Sequence, residues 1–241
     1  MKRVLITMPL GGRPKTSAVV IPALKMVVDV MRGDLTQPGL PNTYEVDVHM
    51  MHWMRGYWAS WARNYEEDGG VKPDLLNKSL RAYMLSHPEP PDYWVCMDDD
   101  VVLSVGTLQS IFTVLDADED IYLAGAWNEV SEFGRGNSVM VGGQDVQYGE
   151  NFCVGGAVHV FPQRAIGALS AAGGVYPDVV REEDVLVTNA VRRLGKKAVL
   201  VRSAPVAIMA NDGVYPAYYD FILALHYAGY DPRRQGKWNP A

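Results

Sequence analysis

The stretch from Pro91 to Leu103 limits most strongly how this chain can fold, because an apolar segment there runs directly into three acidic residues. Tyr93 to Met97 is an unbroken apolar run rich in aromatic and β-branched residues, which predicts a strand buried on both faces of a mostly parallel sheet. Asp98, Asp99 and Asp100 follow at its carboxyl end. Ligand sites of open α/β sheets lie outside the carboxyl ends of the strands, so we expect these side chains to face a ligand.

Two interpretations of the three aspartates remain open at this point. Carboxylates this close together repel one another unless a positive charge lies among them. A divalent cation that binds carboxylate oxygens together with the phosphates of a substrate would supply that charge. The alternative is a solvated acidic turn without a function, and a short motif alone does not separate the two.

Composition excludes several classes of protein. The 241 residues fit one large α/β domain or two small ones, and 48% apolar with 21% charged residues is typical of a soluble globular protein. A net charge of −6 argues against a broad basic surface for nucleic acid. Cys96 and Cys153 lie in apolar runs and are predicted to be reduced core thiols. With no signal peptide and no apolar stretch of membrane-spanning length, we predict a cytoplasmic protein.

The first segments alternate between strand and helix. Val4 to Met8 predicts a buried strand, and a glycine turn over residues 10–12 separates it from a helix over about Ala18 to Met31 that Thr16 or Ser17 would cap. The later predictions, in chain order, are a half-buried strand at 44–50, an inward-facing helical segment ending near residue 64, a helix at 75–85, a helix at 104–115, a strand at 121–126, a hairpin or loop at 129–150, a strand at 152–161 interrupted by two glycines, a helix at 163–171, a helix at 185–194 and a strand at 198–201.

A second acidic cluster, Glu182-Glu183-Asp184, stands ahead of the helix predicted at 185–194. Acidic residues in a first helical turn stabilise the helix dipole, which explains two of the three. The third carboxylate favours a catalytic interpretation.

Four segments resemble, in their order along the chain, those of small GT-A glycosyltransferases with a DxD motif, in particular the family 2-like members of bacterial and phage genomes. The resemblance implies a GT-A (Rossmann-like) α/β fold, with a mostly parallel central sheet flanked by helices and a smaller antiparallel element on the acceptor side. It implies one catalytic domain over residues 1–230, followed by a short basic tail at 231–241. The four segments are Val4 to Pro9, Ala62-Arg63-Asn64, Val95 to Asp100, and Glu183-Asp184 with its following helix.

The same resemblance assigns roles on the donor side. Asp98 and Asp100 match the carboxylates that hold Mg²⁺ or Mn²⁺ against the diphosphate of a nucleotide-sugar donor, where the metal assists departure of the leaving phosphate. Asp99, between them, would face the ribose or the sugar. The remaining donor-binding candidates are Pro9 and Gly11 beside the base and ribose, and Arg63 and Asn64 on the nucleotide side.

On the acceptor side, Asp184, or else Glu183, matches the position from which inverting members deprotonate the acceptor hydroxyl. Relatives often place a metal-binding histidine after the last core strand, but this chain has none there. Asp212 is the first alternative for a third metal ligand and His226 the second.

The sequence therefore predicts a metal-dependent glycosyltransferase that uses a nucleotide diphosphate sugar and acts on a protein, a glycan or a modified DNA base. Two alternatives stay open. One is a sugar-phosphate nucleotidyltransferase, suggested by the Gly11-Gly12 turn, and the other is a non-catalytic module that binds a nucleotide or sugar.

Overall fold

The computed structural model describes residues 1–11, 14–35, 44–52, 59–67, 71–127, 137–149, 153–155, 157–176 and 183–208. Strands and helices alternate along these residues. In chain order they are β1 (Lys2–Leu10), α1 (Pro14–Arg32), β2 (Tyr44–His52), β3 (Arg63–Glu66), α2 (Lys72–Ser86), β4 (Tyr93–Met97), β5 (Val101–Val102), α3 (Val105–Ala117), β6 (Ile121–Trp127), β7 (Asn137–Val141), β8 (Gln144–Tyr148), β9 (Val158–Pro162), α4 (Gln163–Ala171), α5 (Glu183–Arg193), β10 (Lys197–Pro205) and β11 (Ala207–Ile208).

Within the described residues, nine strands form one sheet in the order β3-β2-β1-β4-β9-β6-β10-β8-β7. The strands in the block β3-β2-β1-β4 are parallel to one another, and β6 and β10 form another parallel pair. Strand β9 is antiparallel to both β4 and β6, and the hairpin β7–β8 adds an antiparallel edge beside β10. The predicted α/β fold, a largely parallel sheet with a smaller antiparallel element, is confirmed.

Strand β4 lies inside the sheet, between β1 and β9, and all five of its side chains are apolar and buried. Alternate residues supply the two cores. Tyr93, Val95 and Met97 face the core formed with α1 and α3, whereas Trp94 and Cys96 face the core formed with α2, α4 and α5. The strand predicted from the apolar run is confirmed from its first residue to its last.

The register of the sheet gathers several predicted site residues at one edge. Thr7 of β1 pairs with both His49 of β2 and Cys96 of β4, so these parallel strands end at the same level. The carboxyl end of β1 therefore lies beside that of β4, where Asp98 follows. We call this the site edge.

Two early predictions were wrong in detail. Helix α1 begins at Pro14, so Thr16 and Ser17 are buried residues inside the helix and do not cap it. Residues 63–66 form strand β3, not the end of a helical segment, because they pair with β2 from His49 to His52.

The segment before β9 also differs from its prediction. The strand begins at Val158, and the described residues 153–155 have no regular structure. The excursion at 129–150 contains the hairpin β7–β8, one of the two predicted possibilities. None of the described helices is both long and apolar enough to cross a membrane. The tail predicted at 231–241 lies outside the described residues.

Candidate functional site

Three segments that are distant in sequence meet at the site edge through one lysine. The ammonium Nζ of Lys72, the first residue of α2, lies 2.6 Å from Oδ1 of Asp98 and 2.9 Å from Oε1 of Glu183. Asp98 follows β4, and Glu183 is the first residue of α5. The lysine thereby joins the first acidic cluster to the second.

The charges at this junction alter one another's ionisation. Burial raises the pKa of Asp98 to about 6; Lys72 opposes the rise, while the nearby charges of Asp100 and Asp184 add to it. Burial alone would also raise the pKa of Glu183, but Lys72 outweighs it and lowers that pKa. Although burial disfavours the ammonium, Asp98 and Glu183 raise the pKa of Lys72, which keeps it charged.

The site edge therefore carries more negative than positive charge. Asp98, Asp100, Glu183 and Asp184 act on a common region, and Lys72 supplies the cation among them. Among the described residues, no group of three carboxylate, imidazole or thiolate side chains is arranged to hold a metal ion. The donor set nevertheless fits Mg²⁺ or Mn²⁺, which bind hard oxygen ligands and in enzymes often use one or two carboxylates together with substrate phosphates.

Asp99 has a different environment from its two neighbours. Its side chain is buried, and Oδ2 accepts a 2.7 Å hydrogen bond from the backbone N–H of Gly11, just after β1. The contact ties the end of β1 to the turn after β4. Pro9, in β1, is also buried at this edge. The donor-binding roles of these three residues stay predictions.

Arg63 and Asn64 lie farther away, on β3. In the sheet order β3 is three strands from β4, which corresponds to roughly 14 Å at normal strand spacing. Arg63 is half exposed, with its guanidinium 3.5 Å from Asp47. The amide of Asn64 hydrogen-bonds the backbone of Ala59 and Ala62, so it holds the turn that leads into β3. A contact of either residue with the nucleotide stays a prediction.

Asp184 lies in the first turn of α5, beside Glu183. Its charge acts on Asp98, which places the two predicted functional carboxylates in one electrostatic environment. Asp212 and His226, predicted as further metal ligands, lie outside the described residues. The last described residue, Ile208, pairs with Val101, next to Asp100.

Lys72 is a site residue that was not predicted from the sequence. The predicted helix began at Leu75, whereas α2 begins at Lys72. One signal was present, because a cation in the first turn of a helix is disfavoured by the helix dipole and so invites another explanation. The ion pairs with Asp98 and Glu183 explain why a lysine stands at this position.

Comparison with known proteins bears on the fold of the chain. No protein-family model and no curated protein sequence matches the chain. Among solved structures, the mannosyltransferase PcManGT from Pyrobaculum calidifontis, in complex with GDP-Man and Mn²⁺, superimposes with a TM-score of 0.60 at 16% identity, over 99% of this chain and 66% of that one. The chain has the GT-A glycosyltransferase fold.

Two structures of S. aureus TarS are similar as well. One aligns with a TM-score of 0.55 at 13% identity, over 93% of this chain and 39% of TarS. The other, TarS 1–349, aligns with a TM-score of 0.54 at 12% identity, over 92% of this chain and 64% of that one. The chain thus spans less than two thirds of the length of each of these structures.

Proposed function

We propose that the chain is a metal-dependent glycosyltransferase that moves a sugar from a nucleotide diphosphate sugar to an acceptor hydroxyl. The observation that carries the proposal is the junction of Asp98, Lys72 and Glu183 at the site edge of a GT-A fold. A transferase needs donor-side and acceptor-side groups close together, and the contacts of Lys72 connect the candidates for both.

In this proposal Asp98 and Asp100, the DxD carboxylates, hold Mn²⁺ or Mg²⁺ with the donor diphosphate. The bound ion supplies Lewis-acid stabilisation of the charge that develops on the leaving phosphate. The ammonium of Lys72 is well placed to add a second positive charge on the same side. PcManGT, whose structure contains GDP-Man and Mn²⁺, makes this donor and this metal the first to test.

Asp184 is the proposed general base of an inverting reaction. It accepts the proton of the acceptor hydroxyl as that oxygen forms a bond to the anomeric carbon. The bond from this carbon to the diphosphate oxygen breaks, and the nucleoside diphosphate leaves with the electron pair. Asp184 lies on α5 beside Glu183, whose carboxylate is held by Lys72.

A nucleotidyltransferase is less well supported. That alternative required the turn at Gly11-Gly12 to receive phosphate through its backbone amides. The amide of Gly11 instead donates to Asp99, and Gly12 lies outside the described residues. A non-catalytic binding module remains the alternative that experiment has to exclude.

The proposal is tested by a donor screen. The purified chain is incubated with Mn²⁺ or Mg²⁺, with GDP-Man and the other common nucleotide sugars, and with cell lysate containing protein, glycan and DNA acceptors. We expect metal-dependent release of a nucleoside diphosphate and a matching mass increase on one acceptor class. In Asp98→Asn and Asp100→Asn the rate should fall by about 100-fold or more, since a ligand of the catalytic metal is lost.

Asp145→Asn is the matched control, because Asp145 is an exposed carboxylate on β8 that contacts Arg202 and Ser138. It should keep the parent rate. Pyrophosphate release from a nucleoside triphosphate would instead establish a nucleotidyltransferase. Donor binding without turnover of any donor would establish a binding module.

A further inference from the structure

A chain of hydrogen-bonded polar groups lies buried beneath the site edge, where apolar side chains would be expected. His159 of β9 and Tyr176, which follows α4, are each 2% exposed. Their Nδ1 and Oη atoms are 2.9 Å apart, and the Tyr176 hydroxyl lies close to the thiol of Cys96 on β4. The other ring nitrogen of His159, Nε2, is 3.1 Å from the carbonyl oxygen of Val154.

These contacts fix which nitrogen of His159 carries the proton. A carbonyl oxygen only accepts, so Nε2 must donate to Val154. Burial lowers the pKa of His159 and keeps the ring neutral, so Nδ1 is an acceptor and Tyr176 donates to it. Both nitrogens are satisfied, and the ring has one orientation.

Val154, whose carbonyl accepts the Nε2 bond, belongs to a segment that contacts both Asp98 and helix α5, which carries Asp184. We call the described residues 153–155 and 157 the strap. The N–H of Val154 donates to Oγ1 of Thr188 over 3.2 Å, and Thr188 lies one helical turn after Asp184 on α5. At the other end, the carbonyl of Ala157 accepts from the N–H of Asp98 over 3.0 Å.

The strap is also held by close packing on the sheet. A Cβ atom added to Gly125 of β6 would lie 2.2 Å from Cγ1 of Val154, so only glycine leaves room for this side chain. Val154 is completely buried. Hydrogen bonds from His159 and to Thr188, and contact with Gly125, therefore define the position of Val154 from three sides.

We propose that His159 is a positioning residue for the transfer reaction: by holding Val154, it fixes the strap and so sets the placement of Asp184 relative to Asp98. It acts on the placement of the carboxylates through the strap. The inference rests on the proposed function for its kinetic consequence, but its structural consequence stands apart from any activity. An imidazole suits this role because its two nitrogens bond in opposite directions, to Tyr176 and to the strap.

The structural consequence is tested by crystal structures of the parent chain and of His159→Phe. Phenylalanine fills much of the same volume but makes neither hydrogen bond. We expect Val154 and α5 to shift, so that Asp184 moves relative to Asp98 by about 1 Å, a displacement large enough to slow a positioned reaction. Unchanged positions of the strap and of Asp184 would overturn the proposal, whether or not a donor has been found.

The kinetic consequence is measured with the donor from the screen. His159→Phe should lower kcat by about 10- to 100-fold, as loss of a supporting hydrogen bond often does, with the donor KM changed by less than about threefold. His159→Gln, whose amide N–H2 can still donate to Val154, should recover most of the rate. Equal losses in His159→Phe and His159→Gln, or none in either, would contradict the positioning role.

Three more variants separate the positioning role from a general loss of folding. Tyr176→Phe removes one hydroxyl and keeps the ring, so it should give an intermediate fall in kcat. Gly125→Ala disturbs Val154 from the sheet side and should reproduce the kcat effect of His159→Phe. Gly167→Ala in α4, where an added Cβ meets nothing within 4 Å, is the matched glycine control and should keep the parent kcat. A parent-like kcat in Gly125→Ala would count against the strap.

Discussion

At the scale of single residues, Lys72 is the most important contact of the site, because its ammonium pairs with carboxylates from both acidic clusters. We predict that Lys72→Met lowers the free energy of unfolding by about 2 kcal/mol in the absence of divalent metal. The reason is that partly buried carboxylates lose the cation that compensates them. Urea denaturation of the metal-free protein at pH 7 measures the change.

Lys78→Met is the matched control. Lys78 lies in the same helix and also contacts two carboxylates, Glu67 and Asp74, but on the solvent side. Its removal should lower stability by at most about 1 kcal/mol, because such exposed pairs are screened by water. Added Mn²⁺ should stabilise Lys72→Met more than the parent chain. Equal effects of the two lysine substitutions would show that the junction contributes no more than a surface ion pair.

The sequence could suggest the aspartates but not this lysine. Asp98, Asp99 and Asp100 stand together after a strand, so their placement at the sheet edge follows from local pattern. Lys72 meets its partners only because α2 and α5 pack on the same face of the sheet. Long-range packing of this kind cannot be predicted from the pattern of a short sequence segment. The role of His159 was not predicted for the same reason, since its two hydrogen-bond partners, Tyr176 and Val154, come from separate segments.

At the scale of elements, the strength of the local pattern decided what could be predicted. Strand β4 is apolar at every position and buried on both faces, so its bounds followed from the sequence. Strand β3 has four residues, none fully buried, and the sequence positions of Trp58, Trp61 and Ala62 before it imitate helical spacing. Residues 63–66 form a strand only because they pair with β2, and that pairing cannot be predicted from a four-residue segment.

The β7–β8 hairpin provides a test at this scale. Its two-residue turn is Gly142-Gly143, with positive φ angles of 56° and 78°, as the tight turns that match strand twist require. An added Cβ at Gly142 would lie 3.0 to 3.1 Å from Thr113 and Ala117 of α3, whereas at Gly143 it would meet nothing within 4 Å. Gly142 therefore serves both backbone conformation and packing, and Gly143 only conformation.

We predict that Gly143→Ala lowers the free energy of unfolding by about 1–2 kcal/mol, the usual consequence of a side chain in the left-handed region. Gly142→Ala should lower the free energy of unfolding by about 1 kcal/mol more than Gly143→Ala, because its methyl group also presses on α3. Thermal and urea denaturation of the two variants measure the difference, from which the shared conformational term cancels. Equal losses would mean that the hairpin does not pack on α3 in solution.

At the scale of the whole molecule, two buried polar chains anchor the helices that carry the site. In one, Ser79 of α2 hydrogen-bonds Thr7 of β1 and His49 of β2, over 2.6 and 3.0 Å. In the other, His159 holds the strap against α5. Each chain includes a buried histidine, so the anchoring of both site-bearing helices involves a group that acid can protonate.

This arrangement predicts how the stability of the protein depends on pH. Burial lowers the pKa of His49 from 6.5 to about 4. Between these values the unfolded chain binds a proton that the folded chain does not, so stability falls as the pH falls. At 1.36 kcal/mol for each pKa unit, the loss from His49 reaches roughly 3 kcal/mol near pH 4. Burial also lowers the pKa of His159, which acts in the same direction.

Asp98 acts in the opposite direction, because its raised pKa of about 6 lets the folded chain take up a proton first as the pH falls. The contribution of His49 is therefore measured as a difference between the parent chain and His49→Gln, in which Asp98 is common to both. Urea denaturation at pH 7, 6, 5 and 4 should show the parent losing roughly 3 kcal/mol more than the variant. The gap should open below pH 6.5. Two parallel stability curves would mean that His49 is not buried as a neutral ring, and that this half of the helix anchoring is absent in solution.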